Sequence, residues 1–212
     1  MNLAHRCLCR SAFWRRVLQQ DIIPWVLEGV SLGENLLEVG PGPGLTTDLL
    51  QRRAECLTAV EFDFGFASCL RERFKRTGVR VIQGDATELP FAESVFTSSV
   101  SLTMLHHLPL PALQDQMFRE IHRVLRPGGT FAGTDGVNSR MMRLMHLADT
   151  FTPIDHLALP ARLEEAGFRD ITVDMKPGRF RFRAIAAKAF RVSETTPQPR
   201  FPQRSHPSPR PL

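Results

Sequence analysis

The segment from residue 36 to residue 50, LLEVGPGPGLTTDLL, constrains the fold more than any other part of the chain. Its apolar start is typical of a buried parallel strand, and its end predicts a helix that Thr46 or Thr47 could cap. Three glycines at alternate positions lie between the two, and Pro41 and Pro43 stiffen the connection. A strand, a glycine-rich turn and a helix in this order are typical of a nucleotide-type ligand site.

The spacing of the glycines favours a ligand without phosphates. Dinucleotide-binding turns follow the pattern G-x-G-x-x-G, and Leu45 occupies the position of their third glycine. A pyrophosphate also requires backbone N–H donors near the start of the helix, and each proline removes one. We therefore do not expect NAD. A Gly-Pro turn without any ligand is the simpler alternative, which this motif alone leaves open.

An acidic residue stands near the end of the next predicted strand. Glu61 lies in the β-rich run CLTAVEFD, 21 residues after Gly40, and an acid roughly 20 residues after the turn binds ribose hydroxyls in related sites. Asp63 lies two residues after Glu61, so in an extended strand both side chains point to the same face, and Asp63 competes for this role. A solvated carboxylate at a strand end is the alternative without a ligand.

Further strands and helices alternate along the chain. The pattern predicts strands over residues 79–83 and 95–101, a helix over 111–125, a Pro-Gly-Gly stop at 126–129 and a fifth strand over 130–134. This alternation predicts a doubly wound α/β sheet. Later segments predict helices within 135–150 and 157–167 and strands over 170–175 and 179–187.

Four signals in this order resemble the class I S-adenosylmethionine-dependent methyltransferases of the small-molecule type. They are the E-V-G-P-G-P-G turn, the acid of the second strand, the Asp-Ala pair after the third strand and the phrase EIHRVLRPGGTF, and they extend from about residue 36 to residue 131. One departure is Thr97, where many members of the family carry Asp. The resemblance implies S-adenosylmethionine as cofactor and S-adenosylhomocysteine as product.

The resemblance also implies which residues bind the cofactor. The glycines shape the turn, Glu38 supports the methionine end, Glu61 holds the ribose because the family places that acid directly after the apolar run, and Asp85 with Ala86 reads the adenine. The segment that begins at Ser101 is similar to the segment that, in members of the family, lines the methionine half of the cofactor. The full set is Glu38, Gly40, Pro41, Gly42, Gly44, Glu61, Phe62, Asp85, Ala86 and Ser101.

The fold and domain organisation follow from both lines of reasoning. We expect a Rossmann-like, doubly wound, mostly parallel seven-stranded sheet with an antiparallel last strand and helices on both faces. Residues 1–30 are expected to form a helical cap, residues 31–190 the methyltransferase domain with a substrate-side insertion at about 135–160, and residues 191–212 a disordered tail rich in proline and arginine.

The acceptor side is expected in the insertion and just beyond the fourth strand. Met141, Met145 and His146 lie on a predicted short helix, and methionine adapts to irregular apolar surfaces, although it fills gaps in cores equally well. If the acceptor is a hydroxyl or a thiol, a base would help to remove its proton. His107 and His106 are the first candidates, and a structural role is the more common one for such histidines.

Composition excludes several classes. Cys7, Cys9, Cys56 and Cys69 lack the C-x-x-C spacing of zinc sites, so we expect no metal and reduced thiols in a cytoplasmic protein. No apolar run reaches the roughly 18 residues of a membrane span, and no signal peptide is expected.

The charge of the chain does not predict a nucleic-acid partner. The sequence pI is about 9.6, but residues 191–212 contribute four arginines against one glutamate, which is +3 of the formal +5. We therefore expect a small-molecule substrate, and the oligomeric state is open. Two alternatives stay open: an RNA-modifying methyltransferase, and a cofactor-binding protein without turnover.

Overall fold

The computed structural model describes residues 11–147 and 149–187, and its centre is a seven-stranded sheet. The first five predicted strands and the closing pair are all present. The strands are β1 (Asn35–Val39), β2 (Cys56–Glu61), β3 (Val79–Gln83), β4 (Phe96–Leu102), β5 (Leu125–Gly136), β6 (Phe168–Lys176) and β7 (Arg179–Ala186).

Seven α-helices surround the sheet within the described residues. None of them has the length and apolar character needed to cross a membrane. They are α1 (Ala12–Val17), which continues through a π-helical turn (Leu18–Ile22) into α2 (Ile23–Val26), then α3 (Leu45–Leu50), α4 (Phe64–Phe74), α5 (Pro111–Val124), α6 (Arg140–Met145) and α7 (Leu159–Glu165).

The strand order is β3-β2-β1-β4-β5-β7-β6. The strands from β1 to β5 run parallel, whereas β7 pairs antiparallel with both β5 and β6. The predicted Rossmann-like, mostly parallel sheet with an antiparallel last strand is therefore confirmed. Because the chain order reverses between β1 and β4, the carboxyl ends of these two strands flank a crevice, which is where open α/β sheets bind ligands.

Apolar clusters cover both faces of the sheet. Successive residues of a strand point to opposite faces, and Leu36 and Leu37 of β1 accordingly belong to two different buried clusters. On the face of Leu37 the cluster includes side chains of α5 and α7, among them Phe118 and Leu163. On the face of Leu36 it includes α3 and the N-terminal helices. Burial on both faces explains why β1 reads as a continuous apolar run.

The described part of the N-terminal segment is built into the core. Leu18, Ile22, Ile23 and Val26 are fully buried and belong to the same cluster as Leu36 of β1. The predicted cap would only cover a cleft, whereas this segment is also part of the core. Residues 1–10 of that predicted cap, residues 188–190 and the predicted tail at 191–212 lie outside the described residues.

The Pro-Gly-Gly segment lies inside a strand and is not a separate helix stop. Helix α5 ends at Val124, and β5 begins at the next residue and continues through 126–129 to Gly136. Arg126 precedes a proline, which disfavours helical backbone and turns the chain to an extended form. The pairing of β4 with β5 shifts its register between Phe96 and Ser98. The strand predicted at 130–134 is thus the second half of a longer one.

The helix of the insertion is shorter than the sequence suggested. The pattern placed a helix within 135–150, but β5 extends to Gly136 and the helix α6 spans only Arg140–Met145. Its start is fixed by Ser139, whose hydroxyl accepts a hydrogen bond from the Met142 amide at 3.2 Å. The remainder of the described insertion is irregular.

We expect that replacing Ile22 will destabilise the whole protein. Ile22 is 0% exposed in the cluster that covers the sheet, and Ile22→Ala would remove buried contacts at a cost of about 2–5 kcal/mol in the free energy of unfolding. The control is Phe13→Ala, because Phe13 lies in α1 with 69% of its surface exposed. Denaturant unfolding followed by circular dichroism measures both. Equal, small effects would mean that the N-terminal helices are a detachable cap.

Candidate functional site

A cavity of about 560 Å³ opens in the crevice at the carboxyl ends of the parallel strands. Its walls come from the ends of β1, β2 and β4 and from the loop after β3. Trp14 and Leu18 of the N-terminal helical segment close one side, and Asp149 and Thr150 of the insertion close another. Residues that are far apart in the sequence therefore meet around one ligand-sized space.

The glycine turn after β1 depends on missing side chains at its two ends. Gly40 has a φ of +72°, and a Cβ there would lie 2.2 Å from Met104 Cγ. Gly44 has a φ of +83°, and its Cβ would lie 2.3 Å from Leu70 Cδ2. Any L side chain would be strained at both φ values and would also collide with a neighbour. Gly40, Pro41 and Gly42 line the cavity, whereas Gly44 is buried behind it.

The turn is also anchored from its outer side. Arg73 of α4 donates a hydrogen bond to the carbonyl oxygen of Pro43 at 3.1 Å. The same guanidinium group forms an ion pair with Asp48 of α3, and Asp48 also pairs with Arg15 of α1. Three helices are thus joined next to the turn.

Glu38 is a buried carboxyl group that supports the turn from below. It is 1% exposed, and its two oxygens accept hydrogen bonds from the hydroxyls of Thr46 and Thr47. This corrects the expectation that Thr46 or Thr47 caps α3, because Gly44 holds the cap position without a side chain. Burial raises the pKa of Glu38 to about 7, against the two hydroxyl hydrogen bonds, which lower it. Glu38 is not among the residues that line the cavity.

Glu61 lines the cavity and holds the glycine turn from the other side. Its Oε2 accepts a hydrogen bond from the Gly42 amide at 2.8 Å, and its Oε1 accepts one from the Asp63 amide at 2.9 Å. Burial raises the pKa of Glu61, and these backbone donors oppose the shift. Asp63, which competes for the ribose role, also lines the cavity and caps α4 by accepting a hydrogen bond from the Phe66 amide at 2.9 Å.

The loop after β3 brings Asp85, Ala86 and Thr87 to the cavity. Asp85 Oδ1 accepts hydrogen bonds from the Thr87 amide at 2.8 Å and from the Thr87 hydroxyl at 2.7 Å, so the carboxylate organises its own loop. Phe62 also lines the cavity and leaves 72% of its surface exposed.

The segment after β4 contributes to the cavity through different residues from those predicted. Ser101 is fully buried within β4 and does not line the cavity, whereas Leu102, Thr103 and Met104 do. The reason is geometric: the crevice begins where the strand ends, one residue beyond Ser101. His107 lines the cavity as well.

His106 is buried behind His107 and is held by an acid that the sequence analysis did not single out. It is 2% exposed, and its Nδ1 lies 2.5 Å from Asp135 Oδ1. The other carboxylate oxygen of Asp135 accepts a hydrogen bond from the His106 amide at 3.2 Å. Asp135 directly follows the predicted fifth strand. An acid at the carboxyl end of a strand next to the crevice was therefore the signal that could have identified it.

The three residues predicted for the substrate side have different positions. His146 is buried, its Nδ1 lies 2.8 Å from the Met142 carbonyl oxygen, and burial lowers the pKa of its imidazole. Met141 is 66% exposed and Met145 is half-buried, and neither lines the cavity.

We expect the contribution of Glu38 to the free energy of unfolding to fall as the pH rises, because its pKa is raised in the folded protein. Its pKa is near 4.5 when exposed and about 7 in the folded state. The neutral carboxyl therefore stabilises the fold fully below pH 4.5, and that contribution is lost as the pH rises to about 7 because the unfolded chain ionises first. Relative to Glu38→Gln, the wild type should lose up to about 3 kcal/mol over this range.

The measurement is denaturant unfolding of both proteins at several values between pH 4 and pH 8, without cofactor. The difference between their free energies of unfolding isolates this carboxyl group from the other titrating groups. A difference that stays constant with pH would show that the pKa of Glu38 is not raised.

Comparison with known proteins agrees with this geometry. Residues 37–133 match the family described as a methyltransferase domain. The fatty-acid O-methyltransferase of Mycolicibacterium smegmatis is 34% identical over 105 residues, which are 49% of this chain and 37% of that protein. A probable ribosomal RNA small subunit methyltransferase A of Thermococcus kodakarensis is 33% identical over 107 residues, which are 50% and 37% of the two proteins. The chain thus spans well under half the length of these two relatives.

A solved structure shares the fold across nearly the whole described chain. The crystal structure of a SAM-dependent methyltransferase from Aquifex aeolicus aligns with a TM-score of 0.69 at 18% identity and covers 88% of this chain and 100% of its own. At that identity the likeness concerns the fold alone. The strand order, the crevice between β1 and β4 and the family match together identify residues 37–133 as a methyltransferase domain of the class I S-adenosylmethionine-dependent type.

Proposed function

We propose that this methyltransferase moves the methyl group of S-adenosylmethionine to a small, mostly apolar acceptor. The observation that carries the proposal is one cavity lined by two chemically different groups of residues. We assign the cofactor to the glycine turn, Glu61 and Asp85. We assign the acceptor to the side of His107, Leu108 and Leu113, where Asp149 of the insertion also lines the cavity.

The cofactor end fits adenosine and methionine without phosphate groups. Glu61 uses each oxygen for one backbone donor, and a carboxylate offers about four lone-pair sites, so both oxygens can still accept ribose hydroxyls. Asp85 and Ala86 are proposed to read the adenine, with Phe62 beside them. The open backbone of Gly40, Pro41 and Gly42 lies against the methionine half. Glu38, Gly44 and Ser101 act from behind this surface by fixing the turn and the end of β4.

The acceptor end supports an apolar molecule. Leu108 and Leu113, which follow His107 in the chain, line the cavity as His107 does, and ligand sites commonly combine apolar walls with a few polar groups. The relative from M. smegmatis acts on a fatty acid, which is consistent with such an acceptor. We propose that Met141, Met145 and His146 shape the approach from the insertion.

The transfer itself is proposed to occur by in-line displacement. S-adenosylmethionine supplies an electrophilic methyl group on a sulfonium, so the protein must mainly hold the acceptor atom in line with it. If that atom is a hydroxyl oxygen or a thiol sulfur, His107 takes its proton. His106 does not line the cavity, and with Asp135 it acts as a positioning residue for His107, whose ring centroid lies 4.2 Å from its own. No metal takes part at the cofactor end.

The cysteines support a cytoplasmic location. Cys56 and Cys69 are exposed free thiols, which is typical of proteins in reducing compartments.

RNA is the second candidate acceptor, because the relative from T. kodakarensis is named for ribosomal RNA.

Glu61→Ala should weaken cofactor binding while the fold persists. Loss of charged hydrogen bonds to the ribose corresponds to about 1.5–3 kcal/mol, or roughly 10-fold to 100-fold in Kd. Isothermal titration with S-adenosylmethionine and S-adenosylhomocysteine measures this effect. Glu72→Ala is the matched control, because it removes an exposed carboxylate of α4 that does not line the cavity, so Kd should stay unchanged. Equal Kd values for Glu61→Ala and the wild type would remove Glu61 from the site.

Methyl transfer should be detected with small apolar acceptors. Labelled S-adenosylmethionine is incubated with a panel of fatty acids, phenols, aliphatic thiols and ribosomal RNA, and the labelled product is separated by size and polarity. Labelling of RNA, with an affinity that falls steeply with salt and survives deletion of residues 191–212, would favour the RNA alternative. Tight cofactor binding with no labelled product in any class would favour a protein without turnover.

A further inference from the structure

Three histidines from two separate segments meet beside the cavity, which His107 lines. His106 and His107 belong to the turn after β4, and His146 follows helix α6. Each can offer one imidazole nitrogen, and these three atoms lie within 4.8 Å of one another. The ring centroid of His146 is 4.7 Å from that of His106 and 5.3 Å from that of His107. We call these three residues the histidine cluster.

Two members of the cluster have their rings oriented by a second partner. A carbonyl oxygen can only accept a hydrogen bond, so the contact of His146 Nδ1 with Met142 at 2.8 Å places the proton on Nδ1. Asp135 contacts His106 Nδ1 at 2.5 Å in the same way. In both rings Nε2 is then the atom that carries the lone pair. Metal-binding histidines usually have one nitrogen fixed by a carboxylate or a backbone carbonyl in this manner.

The free nitrogen of His106 is otherwise unexplained. Its Nε2 is buried and has no hydrogen-bond partner among the residues that the structure describes. A buried polar atom without a partner costs about 1–3 kcal/mol, and a ligand at Nε2 would remove that cost. Stacking alone, as between His146 and Phe151 at 4.7 Å, does not account for three imidazoles in one place.

We propose that His106, His107 and His146 form a binding site for one divalent transition-metal ion of the zinc type. Imidazole nitrogen is a good ligand for Zn²⁺, Co²⁺ and Ni²⁺, and three histidines are a known catalytic donor set for zinc. Zn–N bonds of about 2.0–2.1 Å require ligand nitrogens about 3.4 Å apart in a tetrahedron, so the side chains must close by roughly an ångström on binding. The sequence prediction of no metal considered only cysteine spacing, which does not report on histidines from two segments.

The position of the site suggests its use. Three protein ligands leave at least one coordination position open, and His107 lines the cavity. On the basis of the proposed function, that position would take the oxygen or sulfur atom of the acceptor. The cation would make that atom more acidic, and it would replace His107, which is then a ligand, as the group that promotes loss of the proton to water. The affinity for the metal does not depend on that function.

Metal titration of the full chain tests the site directly. The protein is stripped with a chelator, dialysed, and titrated with CoCl₂ and ZnCl₂. We expect one equivalent of Co²⁺ with the visible absorption of a four- or five-coordinate ion, its displacement by Zn²⁺, and a higher Tm with either metal. X-ray absorption of the zinc-loaded wild type should show nitrogen and oxygen ligands without sulfur.

Variants assign the ligands. His146→Phe keeps an aromatic ring against Phe151 and should weaken metal binding by at least about 10-fold, and Asp135→Asn should weaken it by about 10- to 100-fold. His156→Gln is the control, because His156 lies in the same insertion outside the cluster. The double variant Cys7→Ser, Cys9→Ser should bind the metal unchanged. Circular dichroism without metal verifies that each variant is folded.

The inference is overturned if the wild type binds no stoichiometric metal, if folded His146→Phe binds it as tightly as the wild type, or if replacing Cys7 and Cys9 abolishes binding. Failure of the proposed function is a separate result. Metal binding without methyl transfer to any acceptor would retain the site and reject the function. Methyl transfer by a protein that binds no metal would retain the function and reject the metal site.

Discussion

Two buried carboxyl groups hold the glycine turn, and the rest of the site depends on them. Glu38 binds the first turn of α3 through the hydroxyls of Thr46 and Thr47, while Glu61 accepts the amide of Gly42. The turn is thereby fixed both to the strand that precedes it and to the neighbouring strand. Because buried groups that are partly satisfied cost free energy, this arrangement tolerates few substitutions. A turn without side chains at Gly40 can then approach a ligand closely and still keep one shape.

The two carboxyl groups differ in what their ionisation does. Glu38 is enclosed, and burial raises its pKa to about 7, so a neutral carboxyl suits its structural position. Glu61 is bordered by the cavity and receives two backbone N–H donors, which favour its ionised form against the effect of burial. An ionised Glu61 is the better acceptor for hydroxyl groups. Glu38 and Glu61 lie on adjacent strands, and their different surroundings make one a structural group and the other a candidate ligand-binding group.

The sequence predicted the parallel half of the sheet and the glycine turn because both depend on local pattern. The apolar run of β1, the offset of Glu61 and the alternation of strands and helices need no long-range information. The errors have a common cause in contacts that are distant along the chain. Thr46 looked like a helix cap until its hydroxyl was seen to donate to Glu38, and Ser101 lies one residue short of the crevice. Asp135 meets His106 only because β5 lies beside β4.

The two ends of the cavity are built from parts of the chain with different constraints. The proposed cofactor end follows β1, β2 and β3, whose parallel pairing fixes their register. The acceptor end combines the turn after β4 with the insertion, whose described part is mostly irregular beyond the short helix α6. Two relatives that align with similar shares of this chain are named for a fatty acid and for ribosomal RNA. The fold therefore does not specify the acceptor, and under the proposed function that choice belongs to the side chains beside His107.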